Sequence, residues 1–184
     1  QQGFRGEYSL YGSSEIPGVR GFDQNPLAKA GTAINLQWQG EVWALGLKPS
    51  YAHESDDDEE LRLDGSYLAA AAGNWVMGVG AIDRWWGPGW QSSLILSNNA
   101  RPMPALWINR NNARAVETPG LTWIGPGQFT ALAGQYESDR AVPDAKLIGM
   151  RLTFRPTEGL DIGLSRAIMF GGEGRPEGAS TIWN

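Results

Sequence analysis

Residues 83 to 102 read DRWWGPGWQSSLILSNNARP, which sets three tryptophans, two arginines and two adjacent asparagines around a Gly-Pro-Gly within twenty positions. Each residue type has a binding chemistry. Indole faces, at Trp85, Trp86 and Trp90, stack on the C–H surface of a sugar ring. The Asn98 and Asn99 amides offer a donor and an acceptor to paired hydroxyls, and Arg84 and Arg101 engage a carboxylate through two parallel N–H groups. Together they suit an acidic carbohydrate. The competing reading is a loop held by arginine–carboxylate pairs, such as Asp83 with Arg101, and by buried tryptophans.

The wider stretch 83–127 is skewed the same way. Its only acids are Asp83 and Glu117, against Arg84, Arg101, Arg110 and Arg114, and it carries five asparagines at 98, 99, 109, 111 and 112. Catalysis fits less well than binding. A glycosidase needs two carboxyls roughly 5 to 9.5 Å apart. Asp83 with Glu117, or Glu137 with Asp139 and Glu173, could supply them, but nothing in their spacing selects a pair. The single histidine, His53, gives no catalytic triad. GVGAID and GGEGRP lack the lysine and Ser/Thr of a phosphate loop. No catalytic residue is assigned, and no cofactor is expected.

Cysteine is absent, which removes disulfides, thiol nucleophiles and thiolate metal sites. His53 adjoins the run ESDDDEE, which lacks the alternating ligands and central glycine of a calcium loop and reads as a solvated acidic loop. No metal site is expected. With fifteen Lys and Arg scattered among twenty Asp and Glu, a net charge of -5 and a pI near 4.9, the chain lacks the basic face a nucleic-acid partner requires. No apolar run approaches the ~20 residues of a membrane helix. A transmembrane β-barrel averages out to the same hydropathy, because lipid-facing and lumen-facing residues alternate.

The elements that must carry the cluster are strands. In TAINLQWQ, Thr32, Ile34, Leu36 and Trp38 share one face and Ala33, Asn35, Gln37 and Gln39 the other. VWALGLKPSYAH resumes the alternation with Trp43, Leu45 and Leu47. Residues 61 to 71 set Leu61, Leu63, Tyr67 and Ala69 opposite Arg62, Asp64 and Ser66, and WVMGVGAID alternates Trp75, Met77, Val79 and Ala81 with small residues. QFTALAGQYES, KLIGMRLTFR and LDIGLSRAIMF continue the pattern. In the second of these, Ile148, Met150, Leu152 and Phe154 oppose Leu147, Gly149, Arg151 and Thr153. In the third, Arg166 interrupts the face of Leu160, Ile162, Leu164 and Ile168.

With FRGEYSLY this makes about eight antiparallel strands, with an irregular loop or plug at 83–127 in which LILS, ALWIN and LTWIG are possible brief strands. Short turns at one end and long polar loops at the other suit an outer-membrane barrel. A soluble sandwich predicts the same alternation. Trp38, Trp43, Tyr51, Tyr67, Trp75, Phe154 and Phe170 fall near strand ends, as interfacial girdles do. The fold expected is an all-β, antiparallel transmembrane β-barrel, with residues 1–184 forming one barrel segment.

The string AIDRWWGPGW followed by LILSNNARP, together with GLDIGLSRAIMFGGEGRP far along the chain, resembles the Wzi-type capsule assembly family of Gram-negative outer membranes. The similarity runs over most of the chain, strongest in residues 79–106 and 147–176. It implies a monomeric barrel of about eighteen strands that acts as a lectin, holding acidic capsular polysaccharide at the surface of the outer membrane without doing chemistry on it. Its partners would be that polysaccharide and outer-membrane lipid. The positions that match are Asp83, Arg84, Trp85, Trp86, Gly87, Pro88, Gly89, Trp90, Asn98, Asn99, Arg101 and Pro102, then Gly171, Gly172, Glu173, Gly174, Arg175 and Pro176. Of these, Arg84, Trp85, Trp86, Trp90, Asn98, Asn99 and Arg101 are the candidate sugar contacts. Asp83, Gly87, Pro88, Gly89 and the 171–176 turn are candidate structural elements. Family members are more than twice this length, so an internal fragment is expected. The alternatives by function are a porin-like diffusion channel and a polysaccharide-degrading enzyme.

Overall fold

The computed structural model describes residues 2–12, 28–56, 59–87, 93, 95–97, 100–112, 114–115, 119–138 and 141–176. Among them are eleven strands and one short 3-10 turn at Thr122–Ile124. The strands are β1 (Gly3–Gly12), β2 (Ala28–Gln39), β3 (Trp43–Leu47), β4 (Ser50–Ser55), β5 (Leu61–Arg62), β6 (Tyr67–Ala72), β7 (Trp75–Gly80), β8 (Ala105–Arg110), β9 (Gly127–Gln135), β10 (Lys146–Thr157) and β11 (Leu160–Phe170). The fold is all-β and the recorded pairings are antiparallel. Contacts divide the chain into one unit of Gln1–Ala69 with Val79–Pro104 and another of Ala70–Gly78 with Ala105–Asn184.

In the first unit the strand order is β6-β3-β2-β4-β5, with β1 also on β2. The strand total exceeds the expected eight by three, because two alternating runs are each split in two and β8 forms within the stretch expected to be irregular. β3 and β4 lie in phase along β2, with Leu36 opposite Leu47 and Ala33 opposite Ser50. The break between them falls at Pro49, which has no N–H to give, although its carbonyl still accepts from the Ile34 N–H at 3.1 Å. β5 and β6 are separated by the Leu63–Ser66 turn, where Gly65 has φ +96°.

That turn absorbs one residue and corrects an expectation. Leu61 and Leu63 are exposed as a pair, but Tyr67 and Ala69 lie on the opposite face: Leu68 is exposed, Ala69 is buried, and the Tyr67 ring covers Gly46. A register slip of one residue exchanges the two faces of a strand.

The faces are inverted relative to a water-soluble protein. Phe4, Tyr8 and Leu10 on β1 pair with Trp38, Ile34 and Thr32 on β2, and Phe4 and Leu10 are 70% and 73% exposed. The covered face holds Ala33, Ser50, Ala52 and Gly46. Leu61 is 80% exposed while Arg62, the next residue, is 1% exposed. Arg62 is the largest fully buried side chain among the described residues. Its Nε donates to the Glu59 carbonyl at 2.9 Å, and its guanidinium also bonds the Ser55 hydroxyl.

In the second unit the order is β7-β8-β9-β10-β11, and one face again exposes apolar side chains. Met150 and Leu152 are exposed, Leu147 and Gly149 are buried, and Leu152 pairs with both Phe129 and the exposed Leu164. β8, ALWINR, is a full member of the sheet inside the stretch expected to be irregular, paired with β9 from Ala105↔Gly134 to Asn109↔Thr130.

Aromatic residues gather at the tight-turn ends. Trp38 and Trp43 flank the Gly40–Val42 turn, with Phe4 opposite Trp38. Trp75 follows the Gly73-Asn74 turn and meets Phe129 edge-on at 6.2 Å, and Trp123 meets Phe154 edge-on at 6.3 Å. Tyr51 and Tyr67 are the second residue of β4 and the first of β6, near strand ends as expected, and the Tyr67 ring covers Gly46.

Candidate functional site

The motif segment leaves β7 at Gly80 and returns to the wall at β8. Its first anchor is β-like: the Gly65 N–H donates to the Ala81 carbonyl at 2.6 Å, and the Ala81 N–H to Ser66 at 3.1 Å. Beyond it Trp86 is only 5% exposed, and its backbone N–H bonds the Leu96 carbonyl at 3.0 Å. The Ser93 hydroxyl donates to that same carbonyl. Pro102 and Met103 are buried at the end of the segment. A segment that buries Trp86 and Met103 in this way is stabilised by the apolar area it removes from water.

The two arginines of the motif differ in their surroundings. Arg101 is held to Asp64 by two hydrogen bonds, Nε–Oδ2 at 2.9 Å and Nη2–Oδ1 at 3.1 Å, and its Nη1 bonds the Glu59 carboxylate. Burial pulls its proton affinity down, but the bonds and charges of Asp64 and Glu59 outweigh that, so the guanidinium sits above its ordinary range. Arg84 donates from Nη1 to its own segment's Ile82 carbonyl at 3.0 Å, while its Nη2 is buried with no hydrogen-bond partner. Burial lowers the Arg84 proton affinity, with the neighbouring Asp83 opposing. No carboxylate ion-pairs with it among the described residues. A guanidinium in that state is ready for an anionic ligand, because leaving it unpaired costs desolvation energy.

Trp85 is half-buried beside Arg84, and Asp83 is exposed. Gly87 is half-buried at the edge of the described segment. Pro88, Gly89, Trp90, Asn98 and Asn99 lie outside the described residues. Of the carboxyls considered for hydrolysis, Glu117 and Asp139 also lie outside. Among the described residues no group of three His, Cys, Asp or Glu is arranged to hold a metal.

The 171–176 turn has a conformational reason for its glycines. Gly171, Gly172 and Gly174 take φ of +65°, +95° and +74°, a region that L side chains rarely adopt. The Glu173 N–H bonds the Pro143 carbonyl at 3.1 Å, and the Arg175 N–H bonds that of Gly172 at 3.0 Å. A Cβ on Gly172 would stand 2.7 Å from the Pro143 oxygen. Pro176 closes the described turn.

A second polar surface was not singled out from sequence, since its residues read as the ordinary polar half of alternating strands. On the covered face of the second unit, Asn109, Thr130, Arg151 and Ser165 stand directly opposite one another across β8, β9, β10 and β11.

Comparison with known proteins gives a consistent picture. A family model, capsule assembly protein Wzi, matches residues 19–184. An uncharacterized 55.8 kDa protein from the cps region of Klebsiella pneumoniae is 35% identical over 177 residues, covering 95% of this chain and 35% of that protein. The solved structure of Wzi, described as an outer-membrane protein involved in group 1 capsule assembly in Escherichia coli and as a carbohydrate-binding β-barrel, is similar at TM-score 0.88 and 35% identity. That alignment covers 98% of this chain and 41% of the other. The chain thus spans well under half the length of these relatives.

Proposed function

The chain belongs to the Wzi capsule assembly family, and from that membership we propose that it is one segment of the wall of an outer-membrane β-barrel that binds capsular polysaccharide and attaches it to the cell surface. One observation carries the membrane half of this reading: apolar side chains from Phe4 to Leu164 are exposed while Arg62 is buried. Water penalises such a surface, and a bilayer stabilises it. Within the first unit Trp38 and Trp43, and within the second Trp75 and Trp123, are the residues suited to the headgroup level.

The binding half rests on the 83–104 segment. Arg84 is the contact for a glycan carboxylate, with Trp85 beside it as a stacking surface and Trp90, Asn98 and Asn99 as further contacts. Trp86 and Arg101, expected from sequence as sugar contacts, serve better as braces, because one is buried and the other is occupied by Asp64 and Glu59. The glycan class favoured is acidic. The protein holds its ligand without cleaving it, and it works as a monomer.

The test is direct binding. Full-length protein in lipid nanodiscs is passed over immobilised, purified acidic capsular polysaccharide. Saturable binding that weakens about tenfold in Arg84→Gln, the loss of one charge-assisted contact, supports the reading. No saturable binding by the wild type overturns it. Single-channel conductance without polysaccharide binding would instead favour a diffusion channel.

A further inference from the structure

The covered face of β8–β11 carries the chemistry of a second carbohydrate subsite, separate from the motif segment. The register puts Asn109 against Thr130, Thr130 against Arg151, and Arg151 against Ser165. With neighbouring strands about 4.8 Å apart, this row runs roughly 14 Å across the wall. One step along β8, on the same face, is Trp107, opposite the buried Leu132.

Three features make the row a receptor more than a packed surface. The Trp107 Nε1 donor and the Asn109 Oδ1 acceptor are both buried and have no hydrogen-bond partner, a costly arrangement that a hydroxyl-bearing ligand would relieve. Among the described residues Arg151 makes one side-chain bond, Nη1 to the Ser165 hydroxyl at 3.1 Å, and no carboxylate pairs with it. By contrast Arg155, near the hairpin end of the same strand, is saturated by Asp161 at 2.7 and 2.9 Å. The third is position: Gly163, next to Ser165 on the same face of β11, lies beside the guanidinium, and a Cβ there would stand in ordinary van der Waals contact with Arg151 Nη2 at 3.4 Å.

We propose that this row is a glycan subsite in which Arg151 receives the carboxylate of a uronic acid residue, while Asn109 Oδ1 accepts from a sugar hydroxyl and Trp107 Nε1 donates to one. An arginine with free parallel N–H groups is suited to a carboxylate, and Thr130 and Ser165 add hydroxyls on either side. The subsite rests on the polysaccharide-binding reading above and extends it to the interior wall of the second unit.

The experiment uses full-length protein in nanodiscs, with heat-modifiable migration confirming the folded barrel. The probes are oligosaccharides cut from a uronate-bearing capsular polysaccharide and the same oligosaccharides with their carboxyls reduced to alcohols. Arg151→Gln should weaken binding of the carboxylated probe at least tenfold and leave the reduced probe unaffected. Asn109→Ala, the milder variant, should weaken both equally. Wild-type affinity for both probes in both folded variants overturns the subsite alone. A wild type that binds neither probe overturns the polysaccharide-binding reading, and this proposal with it.

Discussion

Arg101 grips the Asp64 carboxylate through two parallel hydrogen bonds, 2.9 and 3.1 Å long, across 37 residues of sequence. Both side chains are largely withdrawn from solvent, at 11% and 13% exposed. The link fastens the end of the motif segment to the β5–β6 turn. It is therefore a structural clasp for the segment that carries Arg84 and Trp85.

Removing the clasp should loosen the segment. Arg101→Ala leaves Asp64 and Glu59 facing each other without a cation, and breaking a partly buried pair in this way costs about 3 kcal/mol. Urea unfolding of the full-length protein in liposomes checks this. A change under about 0.5 kcal/mol would place Arg101 among surface charges of little consequence.

The exposed apolar face makes opposite predictions in lipid and in water. Ile34 lies mid-strand on β2, exposed between Tyr8 and the β3–β4 junction. In a bilayer Ile34→Arg should cost ~2–4 kcal/mol, while Asn35→Arg on the covered face should cost less. On a water-facing surface Ile34→Arg would be nearly neutral.

The chain has no cysteine, so nitroxide labels can be placed one at a time on its strands once any cysteine elsewhere in the full-length protein is replaced. On β10, labels at Ile148, Met150 and Leu152 should be accessible to oxygen dissolved in lipid. Labels at Leu147, Gly149 and Arg151 should not. A uniform profile along the strand would contradict the assignment of faces.

Gly46 lies beneath the Tyr67 ring, and a Cβ there would overlap it. Gly46→Val should destabilise the barrel by ~1–3 kcal/mol through overpacking. Adding Tyr67→Ala should recover part of that loss, a coupling that a double-mutant cycle reads directly. Independent, additive effects would mean the two residues do not share the space.

Much of the wall was legible in the sequence. β10 alternates in unbroken register from Lys146 to Phe154, so the faces of Ile148, Met150, Leu152 and Phe154 follow from period two alone. Which face is exposed did not follow, because alternation is symmetric to exchange of the faces; the structure exposes Leu61 and buries Arg62 beside it, and the proposed lipid-facing side is assigned from that. The inward placement of Tyr67 was hidden by the Gly65 turn, which shifts the phase by one residue without changing composition. The partners of Arg101 were hidden for another reason. Asp64 and Glu59 are distant in sequence, and no local pattern links them to residue 101. Arg151 escaped notice because a charged residue on the polar half of a strand is ordinary, and only the register sets it in line with Asn109 and Ser165.

The central claim is that this segment helps hold capsular polysaccharide on the cell. The most direct measurement compares cell-associated with released polysaccharide in encapsulated cells whose only copy of the full-length protein carries Arg84→Ala and Trp85→Ala, with the amount of folded protein in the outer membrane checked in parallel. The account predicts that most of the capsule moves to the medium while the folded barrel remains at wild-type levels. Wild-type capsule retention by that folded double variant would contradict it.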